Sequence, residues 1–193
     1  MKKISLILMF CIAFSCNEFQ ENENTYKIIS LITQKFGRAM PPPPPPGKTY
    51  TLTKSQKDSI SKLKQKIAIY PIRKRTKGLS EREVLKTKPY YSLIKSLDRL
   101  DNDEIDISLI NNKINHELIL LDTIKYKANR HYISKKFDRM LHFSPIAFDK
   151  EFTKAVTVFG NILGYLNGSS ILLYLEKEND QWVIKDSEFL EIS

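Results

Sequence analysis

The C-terminal quarter of this chain constrains its fold more than any other part. Asn167-Gly168 stands between a β-forming run, Ala155 to Leu166 with Val156, Val158, Phe159, Ile162 and Tyr165, and a second run from Ile171 to Lys177. An Asn-Gly pair tolerates the positive φ that both positions of a tight hairpin turn require, so it predicts a hairpin here. Glu178-Asn179-Asp180 predicts the next turn, Gln181 to Ile192 the last strand, and Phe143 to Phe148 the first. Ile171, Leu173 and Leu175 fall on one face of their strand, and Leu172 and Tyr174 on the other. A strand apolar on both faces needs cover on both. The expectation is an α+β fold, with N-terminal helices packed on a C-terminal antiparallel β-meander at about residues 142–192.

The preceding sequence supplies the helices. Ile28, Ile29, Ile32 and Phe36 are spaced to line one side of a helix assigned to residues 25–40. Pro41 to Pro46 then form an extended left-handed rod of about 19 Å, so 41–47 reads as a stiff spacer rather than a ligand for an aromatic groove. Residues 48–193 are expected to form a single domain. Thr53 is placed to cap a helix reaching Gln65, with Ile60 and Leu63 inward. Ile67 and Ile69 alternate in a short strand stopped by Pro71, and Ser80 and Glu83 have capping-box spacing. Tyr90 to Leu100 reads as a helical piece, and the stretch from Asp101 to Lys127 as strands.

Cys16 carries the clearest functional signal. Lys2 and Lys3 precede an apolar run from Ile4 to Phe14, far short of the roughly 20 residues a spanning helix needs. Small Ala13 and Ser15 lead into the cysteine. This order resembles the signal peptide of a bacterial lipoprotein, with Ala13-Phe14-Ser15-Cys16 as the lipobox and alanine in place of the usual leucine, a form familiar from Bacteroidota. The resemblance implies removal of residues 1–15, acylation of Cys16, and a polar tether over 16–24. Glu18, Glu21 and Glu23 loosely resemble the acidic surface-export signals of such proteins. The implied location is the cell envelope, held by lipid at the outer membrane, with the periplasmic or surface face left open. Cys11 leaves with the signal, so Cys16 has no disulfide partner and no thiol remains for catalysis or metal binding.

A second resemblance covers the last fifty or so residues. It is to an uncharacterised domain of Bacteroidota exported proteins, carried by Ser144-Pro145-Ile146-Ala147-Phe148-Asp149, Lys154-Ala155-Val156, Gly164 through Gly168, Leu172-Leu173-Tyr174-Leu175 and Asp180-Gln181-Trp182. Proline stands at Pro145 where arginine is usual. The resemblance implies a β-meander and transfers no activity.

Charge is uneven. From Lys48 to Lys77 ten basic residues meet only Asp58, whereas the rest of the chain beyond Cys16 is close to balanced. Lys62, Lys64, Lys66, Arg73, Lys74, Arg75 and Lys77 are therefore candidates for an anionic partner surface, against the simpler reading of a solvated face. For an exported protein that partner is an envelope protein, an acidic glycan or an anionic lipid surface; no nucleic acid is expected.

Chemistry is sparse. His116, His131 and His142 lack the helical spacing of a metal site, so no metal or cofactor is expected. Ser144 lies near His142 without a nucleophile elbow or orienting acid. Asp101, Asp103, Glu104 and Asp106 lack the glycine and closing glutamate of a calcium loop. Trp182 and Tyr174 are assigned to the core rather than to a ligand surface. Asp58-Ser59-Ile60 and Asp122-Thr123-Ile124 resemble Bacteroidota O-glycosylation acceptors at Ser59 and Thr123. The leading expectation is a non-catalytic binding lipoprotein. The alternatives are an envelope hydrolase built on His116, Glu117, His142 or the acids 101–106, and an inhibitor or immunity lipoprotein.

Overall fold

The structure, a computed structural model, describes residues 2–41, 47, 49, 51–113, 116–129, 131–164 and 167–192. In chain order it contains α1 (Lys2–Phe36), α2 (Lys54–Ser61), β1 (Lys66–Ile69), β2 (Ile72–Arg73), α3 (Glu83–Lys86), α4 (Tyr91–Leu97), β3 (Asp103–Glu104) and β4 (Glu117–Leu120). There follow α5 (Thr123–Ala128), α6 (Tyr132–Lys136), β5 (Arg139–Phe148), β6 (Lys154–Gly164), β7 (Asn167–Glu178) and β8 (Gln181–Ile192). One sheet has the order β4-β1-β5-β6-β7-β8, and β2 and β3 pair separately. Strands β5 to β8 form the antiparallel meander, while β1 runs parallel to both β4 and β5. The fold is α+β, N-terminal helices on a C-terminal meander.

Both sheet faces are covered. On one, Ile28, Ile29 and Ile32 of α1 are wholly buried against Ile67, Ile69, Leu141, Phe143, Phe159, Leu173 and Leu175. Each such isoleucine contributes about 1.5–3 kcal/mol by leaving water. On the other face Leu85, Leu93, Ile94 and Leu97 of α3 and α4 close over Val156, Val158, Leu172 and Tyr174. Ile133 of α6 covers Ala68 and Met140 nearer the β1 side. Trp182 is 6 % exposed and Tyr174 1 %, so both are core residues.

Polar bonds seat α1. The Trp182 indole N–H donates to Asn24 Oδ1 at 2.9 Å, and the Asn24 amide donates to the Gln20 carbonyl at 2.8 Å. The Tyr26 hydroxyl accepts from the Asp106 N–H at 2.8 Å, and Ser30 Oγ from the Asn111 N–H at 2.8 Å.

Several expectations change. The stretch expected as a tether is helical through residue 24, and Asn24 is buried. Residues 18–23 are exposed, so their polarity is the outer side of a helix and not a sign of flexibility. The helix stops at Phe36, and Gly37, whose N–H still donates to the Thr33 carbonyl at 2.8 Å, sits so close to that oxygen and to Ile67 Cδ1 that it leaves no room for a Cβ. α1 also belongs to the main core, so the folded unit does not start at residue 48. Of the proline spacer, residues 42–46 lie outside those described.

The Asn167-Gly168 turn is also displaced. Asn167 pairs with Gly164 and Gly168 with Ile162, so both are strand residues and the connection falls at 165–166, outside the described residues. Two buried faces pin the register, since a one-residue slip would invert every side chain. The paired positive φ values expected there occur instead at Asn179 (48°) and Asp180 (63°), between β7 and β8.

In the middle, among the described residues, strand is limited to 103–104 and 117–120, with one 3-10 turn at Ile107–Leu109. The Asp122 carboxylate accepts from the N–H groups of Ile124 and Lys125, which starts a helix where a strand was expected. Thr53 forms a capping box with Gln56, but α2 is shorter than expected and Leu63 is 56 % exposed. Ser80 and Glu83 make no such box: Gly78 and Arg82 hold the cap positions, without side-chain bonds.

Replacing Asn24 by alanine strands the buried Trp182 N–H, and should cost about 1–3 kcal/mol in urea unfolding. Adding Trp182→Phe to that variant removes the stranded donor and should cost less than the two single changes combined. Strict additivity would show that the bond does not couple helix to sheet. Gly37→Ala should cost about 1–3 kcal/mol through its clash with backbone.

Candidate functional site

Two regions concentrate chemically distinctive side chains. The first is the end of the domain where α1 terminates. Arg139, the first residue of β5, is only 2 % exposed. Its guanidinium donates to the carbonyls of Phe36 and, at 2.7 Å, of Arg38. These are orphan carbonyls at the negative end of a helix, suitable acceptors for a buried cation. Beside it, His116 Nδ1 accepts from the Gln65 N–H at 3.1 Å. The Asn112 side chain clasps the His116 backbone, accepting from its N–H at 2.9 Å and donating to its carbonyl. Asp138 Oδ2 accepts from the Lys66 N–H at 2.6 Å. His116 is thus neutral and bound to the fold. Burial holds its pKa below the ordinary histidine value, with Arg139 and Arg38 adding to the effect and Asp138 opposing it.

The second region is a groove of about 650 Å³ along α1, with Phe19, Tyr26 and Leu31 on one wall and Leu109, Lys113 and Trp182 on the other. Its rim carries both signs of charge, and Glu23 is paired with Lys27 at 2.7 Å.

The basic stretch does not form one patch. Arg73 pairs with Asp103, and Arg75 Nη1 lies 3.5 Å from Asp101 while its Nε donates to the Asp98 carbonyl at 3.0 Å. Lys74 Nζ sits 4.3 Å from the Tyr70 ring centre, and Lys66 is 3.3 Å from Glu117. Lys62 and Lys64 are exposed next to Gln65, whereas Lys77 is exposed in the loop before Gly78. The acids 101–106 are mostly committed within the fold. Asp101 and Asp103 hold the arginines, and Asp106 caps its 3-10 turn by accepting from the Ser108 N–H and hydroxyl.

The residues proposed for catalysis do not converge. His116 lies at the end of α1, whereas the alternation of β5 turns His142 away from Leu141 and Phe143, onto the opposite sheet face. A Cβ on Gly160 would lie 1.7 Å from His142 Nε2, so the imidazole rests directly on glycine backbone. Burial and Lys74 lower the His142 pKa. Ser144 stands in a β-bulge, where its Oγ accepts from the Val158 N–H at 2.8 Å and donates to the Pro145 carbonyl at 2.7 Å. It replaces a missing ladder bond. Among the described residues no group of three or more His, Cys, Asp or Glu side chains is placed to hold a metal. Ser59 and Thr123 both lie on helices, the first exposed and the second half-buried. Sequence reasoning missed Arg139, and an arginine opening an apolar strand was the available signal.

No family model matches the chain, and neither a curated protein nor a solved structure does.

A histidine with a lowered folded pKa binds fewer protons folded than unfolded. Its contribution is intact above the unfolded value of about 6.5 and is lost as pH falls below it. Unfolding free energy should therefore decline as the medium is acidified through that range. His116→Gln, which keeps an acceptor and removes the titration, should shallow the decline; His142 accounts for the remainder. An unchanged slope in denaturant titrations between neutral and mildly acidic pH would contradict this assignment.

Proposed function

We propose that this chain is an envelope lipoprotein, held in the outer membrane by an acylated Cys16, whose domain binds a partner and performs no catalysis. The observation that carries the proposal is the position of Cys16 on α1, eight residues before Asn24, where the helix enters the core. Cleavage before Cys16 would leave a helical arm of about 12 Å between the lipid and the buried part of the domain. Phe19, within one turn of Cys16, is 73 % exposed. An aromatic side chain there suits the headgroup region of a bilayer. Two or more acyl chains, at about 0.8 kcal/mol for each buried CH₂, give a stable anchor.

A binding role is supported by the uses to which reactive groups are put. His116, Ser144, Arg139 and the acids 101–106 complete caps, bulges and ion pairs. A hydrolase needs several of them to meet, whereas only His116 and Arg139 are neighbours, and both are bound into the end of α1.

The proposal is tested by metabolic labelling with a palmitate analogue and by membrane fractionation. The wild type should carry label and sediment with membranes, while Cys16→Ser should lose the label and accumulate with its leader uncleaved. Equal labelling of the two proteins would eliminate acylation at this position.

A further inference from the structure

The fold sorts surface charge toward its two ends. At the end where α1 terminates, residues 36–38, 65–66, 116–117 and 138–139 are joined by the bonds of Arg139, His116 and Asp138. Around that junction stand Lys35 and Arg38 of the α1 terminus, Lys62 and Lys64 after α2, and Lys135 and Lys136 in the last turn of α6, all exposed. The nearby acids are largely occupied. Asp138 receives the Lys66 N–H and Glu117 faces the Lys66 ammonium, while Asp58 lies among the lysines of α2. At the opposite end, Trp182 meets Asn24, and Glu21 faces Phe148, Lys150 and Phe152. That end presents Glu18, Glu21, Glu23, Glu151, Glu178 and Asp180. Of its lysines, Lys27 is paired with Glu23, Lys154 lies 3.6 Å from Glu176, Lys177 lies 3.9 Å from Asp180 and Lys185 is paired with Glu178, while Lys150 is exposed.

We infer that the basic end, composed from α1, α2 and α6, is the partner-binding face, and that it takes an acidic polysaccharide. The inference rests on the lipoprotein reading for its orientation. Cys16 belongs to the acidic end, and about 30 Å of helix separates it from Phe36, where α1 ends next to Arg38. That is several times the screening length of about 8 Å at physiological salt, so the anchoring bilayer does not reach the basic face. The charge is therefore turned toward the envelope beyond the membrane. Five of the six cations are lysines, which act as mobile point charges rather than planar forks for a fixed bidentate partner. None of the six lines the groove along α1. A diffuse, lysine-rich surface drawn from three separate segments suits a flexible chain of repeated carboxylates better than a shaped protein partner.

The test uses the acylated protein in zwitterionic nanodiscs, titrated with polygalacturonate at several salt concentrations. The fourfold variant Lys62→Glu, Lys64→Glu, Lys135→Glu, Lys136→Glu is compared with a control of equal charge change, Lys86→Glu, Lys95→Glu, Lys125→Glu, Lys127→Glu. Circular dichroism first establishes that both are folded. Wild-type affinity should fall at least tenfold between about 50 and 200 mM salt. At low salt the first variant should lose at least tenfold, and the control no more than about threefold. No binding by the wild type, or equal losses in the two variants, would overturn the inference. So would tighter binding to vesicles rich in phosphatidylglycerol, or to duplex DNA, through the same lysines. Cys16→Ser, which keeps its leader and is reconstituted in the same nanodiscs, separates the two proposals: it retains polysaccharide binding if the face is right, whether or not the cysteine is the anchor.

Discussion

The interaction on which much of this structure depends is the closure of α1 by Arg139. A buried guanidinium is costly unless its donors are met, and a helix that ends inside a protein is costly unless its last carbonyls are met. Each meets part of the other's need: Arg139 donates through Nη1 and Nη2 to the carbonyls of Phe36 and Arg38, while its Nε is buried without a partner among the described residues. The residue opens β5, and β5 pairs with β1 on one side and β6 on the other. One side chain thus ties the end of the N-terminal helix to the centre of the sheet. Asp138, immediately before it, binds the first residue of β1, and His116 binds the residue before that. The two short parallel strands are aligned from this junction.

Seen from this junction, the sheet has a long-stranded half and a short-stranded half that rests on it. The meander strands, ten to twelve residues each, hold one another through long ladders interrupted by bulges. β1 and β4 have four residues apiece and rest on neighbours. The outer strand β8 carries two register shifts and the charges Asp186, Glu188 and Glu191. Bulges and charge at a free edge discourage pairing with a second chain, which suits a protein meant to expose other surfaces.

How much of this can be read from sequence depends on whether the signal is local. The meander is readable because Ile171, Leu173 and Leu175 alternate with Leu172 and Tyr174, and both sets proved buried. The hairpin position is not, because register is chosen by pairing across strands and outweighs the preference of Asn167-Gly168. The helical state of 17–24 escapes for a different reason: exposed glutamates on a docked helix have the same composition as a flexible tether. The arginine–aspartate pairs join residues about thirty apart, as Arg73 and Asp103 do, and nothing in either segment announces the other. The basic end is likewise composed from three separate segments. A count along the chain finds the excess from Lys48 to Lys77, but only folding divides it into neutralised arginines and exposed lysines.

The helical arm changes what an anchor at Cys16 would mean. A flexible tether lets a domain tumble over the membrane, so any charged face reaches the headgroups. A helix that enters the core at Asn24 restricts that freedom, because Asn24, Tyr26 and Ser30 bind it to Trp182, Asp106 and Asn111 of the domain. The acidic end is then held near a surface that is itself commonly anionic, and repulsion there favours an upright domain over one lying flat. The same helix would place its basic terminus far from such a lipid. Orientation and charge separation are consequences of one element, so a hinge introduced between Cys16 and Asn24 would weaken both while leaving the core bonds of α1 intact.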